Sequence, residues 1–176
     1  MRQETVNIYK YDELSDKAKR KVLERYREHN DFLFLSNDLK EELNTLLEEH
    51  KIEVQQNLQL YYSLSYSQGD GCCFVGDFIW NNYRISIKHD NSCRYYHNQS
   101  VDININSKFN SNGEDVEISS DEENVAYNEF KNIYKEICDK LEDSGYAIID
   151  NENSEEYIKD SIEANEEEFY DNGDIF

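Results

Sequence analysis

NLQLYYSLSYSQGDGCCFVGDFIWNNYRISIKH (57–89) is the stretch of sequence that decides the fold. Its first eleven residues alternate Leu or Tyr with mostly polar side chains, which predicts a half-buried β-strand. QGDG (68–71) predicts a turn, because glycine accepts positive φ and aspartate can hydrogen-bond its own backbone. Asn81 and Asn82 tolerate a tight hairpin turn, so they separate two further strands. The three predicted strands are 57–67, 72–80 and 83–89.

The register of the predicted hairpin follows from its two-residue loop. Trp80 then pairs with Tyr83, and alternate residues of both strands share one apolar face. A slip of one residue would turn that face to solvent, so the pattern supports this register. The shared face holds Phe74, Phe78, Trp80, Tyr83, Ile85 and Ile87.

Helical spacing of apolar residues lies on both sides of this hairpin. The predicted helices are Ser15 to about His29, Ser36 to about Glu49, and about Asp121 to Ser144, with Gly145 as a stop. A fourth strand fits 100–109, and 146–150 fits an edge strand. The first two helices predict a helical hairpin over one side of the sheet. The predicted class is α+β, an antiparallel meander of about four strands packed by helices.

Length and composition predict one domain with an attached C-terminal segment. A chain of 176 residues suits a single core, assigned here to residues 1–150. Residues 151–176 are acidic and contain few apolar side chains, which predicts a loosely docked segment with a short helix near 154–168. No apolar run approaches the roughly 20 residues needed to cross a bilayer. The sequence therefore predicts a cytoplasmic protein that does not bind a membrane.

The charge is large and unevenly distributed. The chain holds 39 acidic and 18 basic residues, a formal net charge of −21. About −18 of it lies in residues 111–176, while residues 1–110 are nearly balanced. Such a field repels nucleic acid and attracts basic proteins, so direct nucleic-acid binding is not expected.

A cluster of Cys and His residues suggests a metal site at one end of the sheet. The predicted register brings Cys72 near His89, and HDNSCRYYH (89–97) adds Cys93 and His97. Two thiols and two imidazoles suit tetrahedral zinc, which would be structural because four protein ligands leave no open position.

Other readings of these residues stay open. A slip of one residue would replace Cys72 by Cys73, and Asp70 in the turn offers an oxygen ligand instead. Without metal, Cys72 would be a small core residue and both histidines would be satisfied by hydrogen bonds.

Three segments support a resemblance to a known family: YDELSDKAKRKVLERYRE (11–28), YSLSYSQGDGCCFVG (62–76) and HDNSCRYYHNQS (89–100). The chain resembles small acidic phage-borne proteins that pair an ELSxxAK helix with a YSLSYSQGDGxxF hairpin, over roughly residues 8–31 and 58–105. Phage proteins of this size and acidity include anti-CRISPR inhibitors. The resemblance therefore implies a type II-A anti-CRISPR that binds the basic Cas9 protein, and it implies no enzymatic activity.

The expected function is inhibition by binding a basic, nucleic-acid-handling protein such as Cas9. The expected binding residues are the acidic side chains near the C-terminus: Glu155, Glu156, Asp160, Glu163, Glu166, Glu167 and Glu168. Two alternatives remain. One is a small metal-dependent enzyme built around Asp70, His89 and His97, and the other is an antitoxin-like phage factor.

Overall fold

The computed structural model describes residues 6–90 and 92–176 and confirms the α+β class. The chain divides into two compact units. Residues 34–146 form one, here called the sheet unit, and residues 6–33 with 147–176 form the other, here called the terminal unit. This division does not coincide with the predicted boundary at residue 150, since the acidic C-terminal segment groups with the N-terminal helix.

The sheet unit is built on a five-stranded antiparallel sheet whose strands follow one another in chain order. The first four strands form the predicted meander. The fifth has two residues and pairs with the end of the fourth. The strands are β1 (Glu53–Ser63), β2 (Gly71–Trp80), β3 (Tyr83–His89), β4 (Val101–Phe109) and β5 (Asp115–Val116).

Two helices supply large apolar side chains to the core of the sheet unit, and the second continues beyond it. The first is α2 (Leu35–Glu49), with five buried leucines, and the second is α3 (Ser120–Glu152). The α2 leucines are Leu35, Leu39, Leu43, Leu46 and Leu47. The buried side chains of α3 in this unit are Ala126, Phe130, Tyr134, Ile137, Cys138 and Leu141.

The hairpin of β2 and β3 has the predicted register. The pairs are Trp80–Tyr83, Phe78–Ile85 and Gly76–Ile87. Asn81 and Asn82 have φ values of 46° and 66°, as a tight hairpin turn requires. All six side chains of the predicted apolar face are buried.

On the N-terminal side of Gly76, β2 no longer pairs with β3. A side chain of α3 forms hydrogen bonds with the free backbone groups of β2 there instead. The hydroxyl of Tyr134 accepts the N–H of Phe74 (3.1 Å) and donates to the carbonyl oxygen of the same residue (3.0 Å). His89 pairs with Val101 of β4. The predicted register, continued two residues beyond Gly76, would place Phe74 opposite His89, but the ladder of β2 and β3 does not extend that far.

β1 differs from the predicted strand in its bounds and its regularity. It begins at Glu53 and ends at Ser63, so the last four residues predicted for it lie in the following loop. Two register shifts fall between Val54 and Gln59, and Asn57 has a φ of 59°. These bulges interrupt pairing with β2 before Gln59, and pairing from Gln59 to Ser63 is regular.

The prediction that the third long helix stops at Gly145 is wrong, and so is the edge strand predicted at 146–150. α3 continues to Glu152. A Cβ atom on Gly145 would lie 2.3 Å from Cδ1 of Leu64, closer than real Cβ atoms come to other atoms. Glycine at this position therefore allows close packing within a helix instead of ending one.

The terminal unit contains the short 3₁₀-helix Tyr11–Glu13, α1 (Asp16–Glu28) and α4 (Glu155–Ala164). α1 begins as predicted, with the Ser15 side chain accepting the N–H of Ala18 at 3.3 Å. Ser154 caps α4 in the same way. α1 contacts α4 within the terminal unit, whereas α2 belongs to the sheet unit.

The acidic C-terminal segment is part of the core of the terminal unit, which differs from the predicted loose docking. Phe169 is fully buried, and its backbone exchanges two hydrogen bonds with Tyr9, both 2.9 Å long. The buried cluster of this unit consists of Tyr11, Leu14, Ala18, Val22, Leu23, Ile158, Ile162 and Phe169. No helix in the described part of the chain has the length and hydrophobicity needed to cross a membrane.

Candidate functional site

The QGDG turn is organised by the carboxylate of Asp70, which is 7% exposed. Its Oδ2 accepts the backbone N–H groups of Ser65 (2.6 Å) and Ser67 (2.9 Å) and the hydroxyl of Tyr146 (2.5 Å). Its Oδ1 lies 3.3 Å from the hydroxyl of Ser63 and 2.9 Å from those of Ser65 and Ser67. One carboxylate therefore fixes the loop between β1 and β2 to α3.

The protonation states of this turn follow from the same contacts. Burial raises the pKa of Asp70, but hydrogen bonds from Tyr146, Ser67 and Ser65 outweigh burial and hold that pKa well below its usual range. Burial, followed by the hydrogen bond to Asp70, raises the pKa of Tyr146 to about 12. At neutral pH an ionised carboxylate thus accepts from a neutral phenol. A carboxylate saturated by donors is a poor general base, so its role here is structural.

Three of the four cysteines are core residues. Burial raises the pKa of Cys72 and of Cys73 to about 12, and it raises the pKa of Cys138 well above its usual value. With no metal bound, these protonated thiols pack as small apolar side chains. Cys93 is half-buried, and its Sγ lies 3.1 Å from Oγ of Ser100.

The two predicted histidine ligands have aromatic and backbone neighbours. Nε2 of His89 lies 3.2 Å from the carbonyl oxygen of Tyr95. Its ring centroid is 5.8 Å from that of Tyr61 and 5.5 Å from that of Tyr96, and these two tyrosines stack on each other. The ring of His97 lies 5.6 Å from that of Tyr95. A tyrosine–histidine cluster therefore covers this end of the sheet.

The predicted zinc ligands meet different partners. Asp70 bonds to serines and Tyr146, while Cys93 contacts a serine hydroxyl and His89 contacts a carbonyl. Residues 6–90 and 92–176 contain no group of three or more His, Cys, Asp or Glu side chains that could hold a metal ion. Zinc binding stays a prediction for the set Asp70, Cys72, His89, Cys93 and His97.

The seven acidic residues predicted to bind a partner fall into two groups. Glu167 and Glu168 are half-buried and already engaged: Glu167 accepts the hydroxyl of Tyr26, and Glu168 lies 3.3 Å from Nζ of Lys10. The exposed group consists of Glu155, Glu156, Asp160, Glu163 and Glu166.

Three of the exposed residues form a stripe on α4. Glu156, Asp160 and Glu163 recur at helical spacing on the side opposite the buried Ile158 and Ile162. No hydrogen bond or close ion pair of their side chains is formed with the described residues, and Glu163 is attracted at longer range by Lys159 of the same helix. This set is called the α4 stripe below.

Other carboxylates of the terminal unit are neutralised by basic residues of the same unit. Lys21 lies 2.7 Å from Asp174, and Lys159 lies 3.0 Å from Asp12. Residues 147–176 contain eleven acidic side chains and one lysine, whereas α1 contains six Lys or Arg side chains and three acidic ones. The basic α1 therefore offsets part of the C-terminal charge, and the α4 stripe remains exposed to solvent.

The sequence interpretation missed Tyr146 as the partner of Asp70, because residues 146–150 were assigned to a strand. A signal for the buried carboxylate was present in the sequence. Serines at 63, 65 and 67 precede Asp70, and closely spaced hydroxyls and N–H groups in a turn are natural donors to an aspartate.

Comparisons with protein-family models, curated proteins and solved structures found no match to this chain. The resemblance to phage-borne anti-CRISPR proteins therefore stays a prediction. The function has to be argued from the residues themselves.

Proposed function

We propose that this protein is an acidic inhibitor that binds a basic nucleic-acid-handling protein and blocks its interaction with nucleic acid. The proposal rests on one observation: the α4 stripe presents three solvent-exposed carboxylates on one side of a helix, in a chain of net charge −21. Such a surface offers negative charge to Lys and Arg side chains that otherwise contact phosphates. The sequence resemblance makes Cas9 the proposed partner and the bacterial host cytoplasm the proposed location.

The anchoring of α4 supports the stripe as a binding element. Ile158 and Ile162 are buried, and Ser154 caps the helix. Carboxylates on a fixed helix lose less conformational freedom on binding than carboxylates on a flexible tail. The structure thus favours a preformed acidic surface over the loose segment expected from the sequence.

Exposed charges contribute chiefly to association rate and to the choice of partner. Each exposed ion pair is worth about 0–1 kcal/mol, so several carboxylates have to act together. Their long-range attraction is screened by salt, because the Debye length falls from about 10 Å at 0.1 M to about 3 Å at 1 M.

Biolayer interferometry with immobilised Cas9 tests this function directly. We expect the full-length protein to bind, and to lose roughly tenfold or more in affinity when ionic strength rises from about 0.1 M to about 0.5 M. A DNA-cleavage assay at the lower ionic strength should show inhibition that follows binding. Absence of binding, or an affinity independent of salt, would contradict the proposal.

The two alternatives gain less support. A metal-dependent enzyme using Asp70, His89 and His97 would require a carboxylate that already accepts hydrogen bonds from three residues and lies near a fourth donor. An antitoxin-like factor would share the acidic surface, and a toxicity-rescue assay separates it from a Cas9 inhibitor.

A further inference from the structure

β1 is an edge strand that carries no charge after its first residue, Glu53. It lies at one end of the strand order, and residues 54–69 contain no Asp, Glu, Lys or Arg. That run of 16 uncharged residues is the longest in a chain in which 57 of 176 residues are charged. Natural edge strands commonly carry lysine or proline, or are covered by another element, because an open edge pairs with other strands.

The hydrogen bonds of Tyr134 show which backbone groups of β1 point away from the sheet. Because its hydroxyl binds both the N–H and the C=O of Phe74, those groups do not bond to Leu60, the residue opposite on β1. Hydrogen-bonded and non-bonded pairs alternate along an antiparallel ladder. The bonded pairs are therefore Gln59–Val75, Tyr61–Cys73 and Ser63–Gly71, and the backbone groups of Leu60 and Tyr62 face outward.

The regular part of this edge is short and lies beside a groove. The bulges of β1 end at Gln59, so Gln59–Ser63 pairs with β2 without interruption. The groove lies between α2 and β1, and its lining includes Lys40, Leu43 and Leu58. An added strand would thus find outward N–H and C=O groups with apolar side chains next to them.

We propose that the β1 edge pairs antiparallel with the β1 edge of a second copy of this chain. Two copies repel each other wherever their acidic surfaces meet, so the uncharged run is where they can approach at the lowest electrostatic cost. Identical edges related by a two-fold axis present the same groups to each other, as an isologous interface requires. A basic extended peptide would find no carboxylate within residues 54–69.

This pairing responds to salt in the opposite sense to binding of a basic partner. Added salt screens the repulsion between two copies of net charge −21, and it leaves backbone hydrogen bonds between neutral strands largely unaffected. Dimerisation should therefore strengthen with ionic strength. The proposal is independent of the acidic-inhibitor function, because it concerns another surface and makes the reverse salt prediction.

Sedimentation equilibrium and hydrogen exchange of the full-length protein test the proposal together. We expect a monomer–dimer equilibrium whose dissociation constant falls at least roughly fivefold between about 0.1 M and about 1 M NaCl. The amides of Leu60 and Tyr62 should exchange more slowly as protein concentration rises, while that of Tyr61 stays protected throughout. A monomer under all conditions would overturn the proposal, and so would a dimer without this local protection.

Two variants and a matched control complete the test. Gln59→Lys adds a charge to the exposed edge of both copies and should raise the dissociation constant roughly tenfold. Asn104→Lys adds the same charge on the exposed side of β4 and should leave dimerisation unchanged. If Gln59→Lys folds poorly, Tyr62→Pro removes one outward N–H group and should also give a monomer. Equal effects at positions 59 and 104 would overturn the proposal.

Discussion

At the residue scale, Asp70 shows that sequence predicts a local turn but does not show which distant side chains contact it. Glycine and aspartate spacing predicted the turn, and a turn is what residues 68–71 form. The same aspartate was also a candidate metal ligand, since sequence cannot show which donors reach a carboxylate. Serines close in sequence and Tyr146, distant in sequence, take up both of its oxygens.

Replacing Asp70 by Asn should destabilise the protein by about 2 kcal/mol at neutral pH. The asparagine oxygen can replace Oδ2, but hydrogen bonds to a neutral amide are weaker than those to a carboxylate, and the NH₂ group would face three serine hydroxyls that now donate to Oδ1. Urea unfolding followed by circular dichroism measures the loss. The exposed Asp102→Asn on β4 is the control, with an expected change below about 0.5 kcal/mol.

The difference in stability between the wild type and Asp70→Asn should also depend on pH. The pKa of Asp70 is lower in the folded protein than its unfolded value of about 3.9, so its stabilisation is present above that pH and is lost as pH falls below it. The difference in unfolding free energy between wild type and Asp70→Asn should therefore shrink below about pH 4. A difference that stays constant from pH 7 to about pH 3 would contradict this account.

At the element scale, the sequence predicted what depends on local periodicity and missed what depends on packing. α1 begins at the predicted Ser15, and the β2–β3 register is the predicted one, because capping and two-residue alternation are local signals. Gly145 was interpreted as a helix stop because glycine is common there. Its actual role depends on Leu64, some 80 residues earlier in the chain, and no local pattern reports such a contact.

Gly145→Ala should destabilise the protein by about 1 kcal/mol, although alanine normally stabilises a helix interior by a similar amount relative to glycine. The new Cβ would meet Cδ1 of Leu64, with Leu39 packed nearby. Thermal unfolding measures the effect. Asn132→Ala at an exposed position of α3 is the control and should be neutral or stabilising.

A double variant tests the cause of the Gly145 effect. If Leu64 is responsible, Gly145→Ala should cost less in a Leu64→Ala background than in the wild type. Equal costs in the two backgrounds would show that another contact is responsible.

At the scale of the whole molecule, the acidic C-terminal segment has a structural role in addition to its charge. The charge count shows that this segment is acidic, and its few apolar residues did not suggest a core. Three of them, Ile158, Ile162 and Phe169, are nevertheless buried. Sequence could not show this, because their contacts lie on α1 and the 3₁₀-helix at the opposite end of the chain. The segment is therefore a structural part of the terminal unit as well as a source of charge.

Deleting residues 151–176 should consequently unfold α1 in addition to removing charge. The deletion removes three buried apolar side chains, each worth about 1.5–3 kcal/mol of burial. Limited proteolysis should then cut at the Lys and Arg residues of α1 much faster than in the full-length protein. Continued protection of α1 would show that the terminal unit does not depend on its C-terminal segment.

The central claim is that the α4 stripe binds a basic partner, and charge-removing variants of the full-length protein test it without disturbing the core. The test variant is Glu156→Gln/Asp160→Asn/Glu163→Gln. The control is Glu41→Gln/Glu48→Gln/Glu53→Gln, which removes the same charge from exposed positions of the sheet unit.

The decisive measurement is the dissociation constant for Cas9 of these two variants and the wild type at about 0.1 M salt. The account predicts that the α4 variant binds at least roughly tenfold more weakly than wild type, while the control stays within about threefold. Equal weakening of both variants, or an unchanged affinity of the α4 variant, would contradict the claim that this stripe is the binding surface.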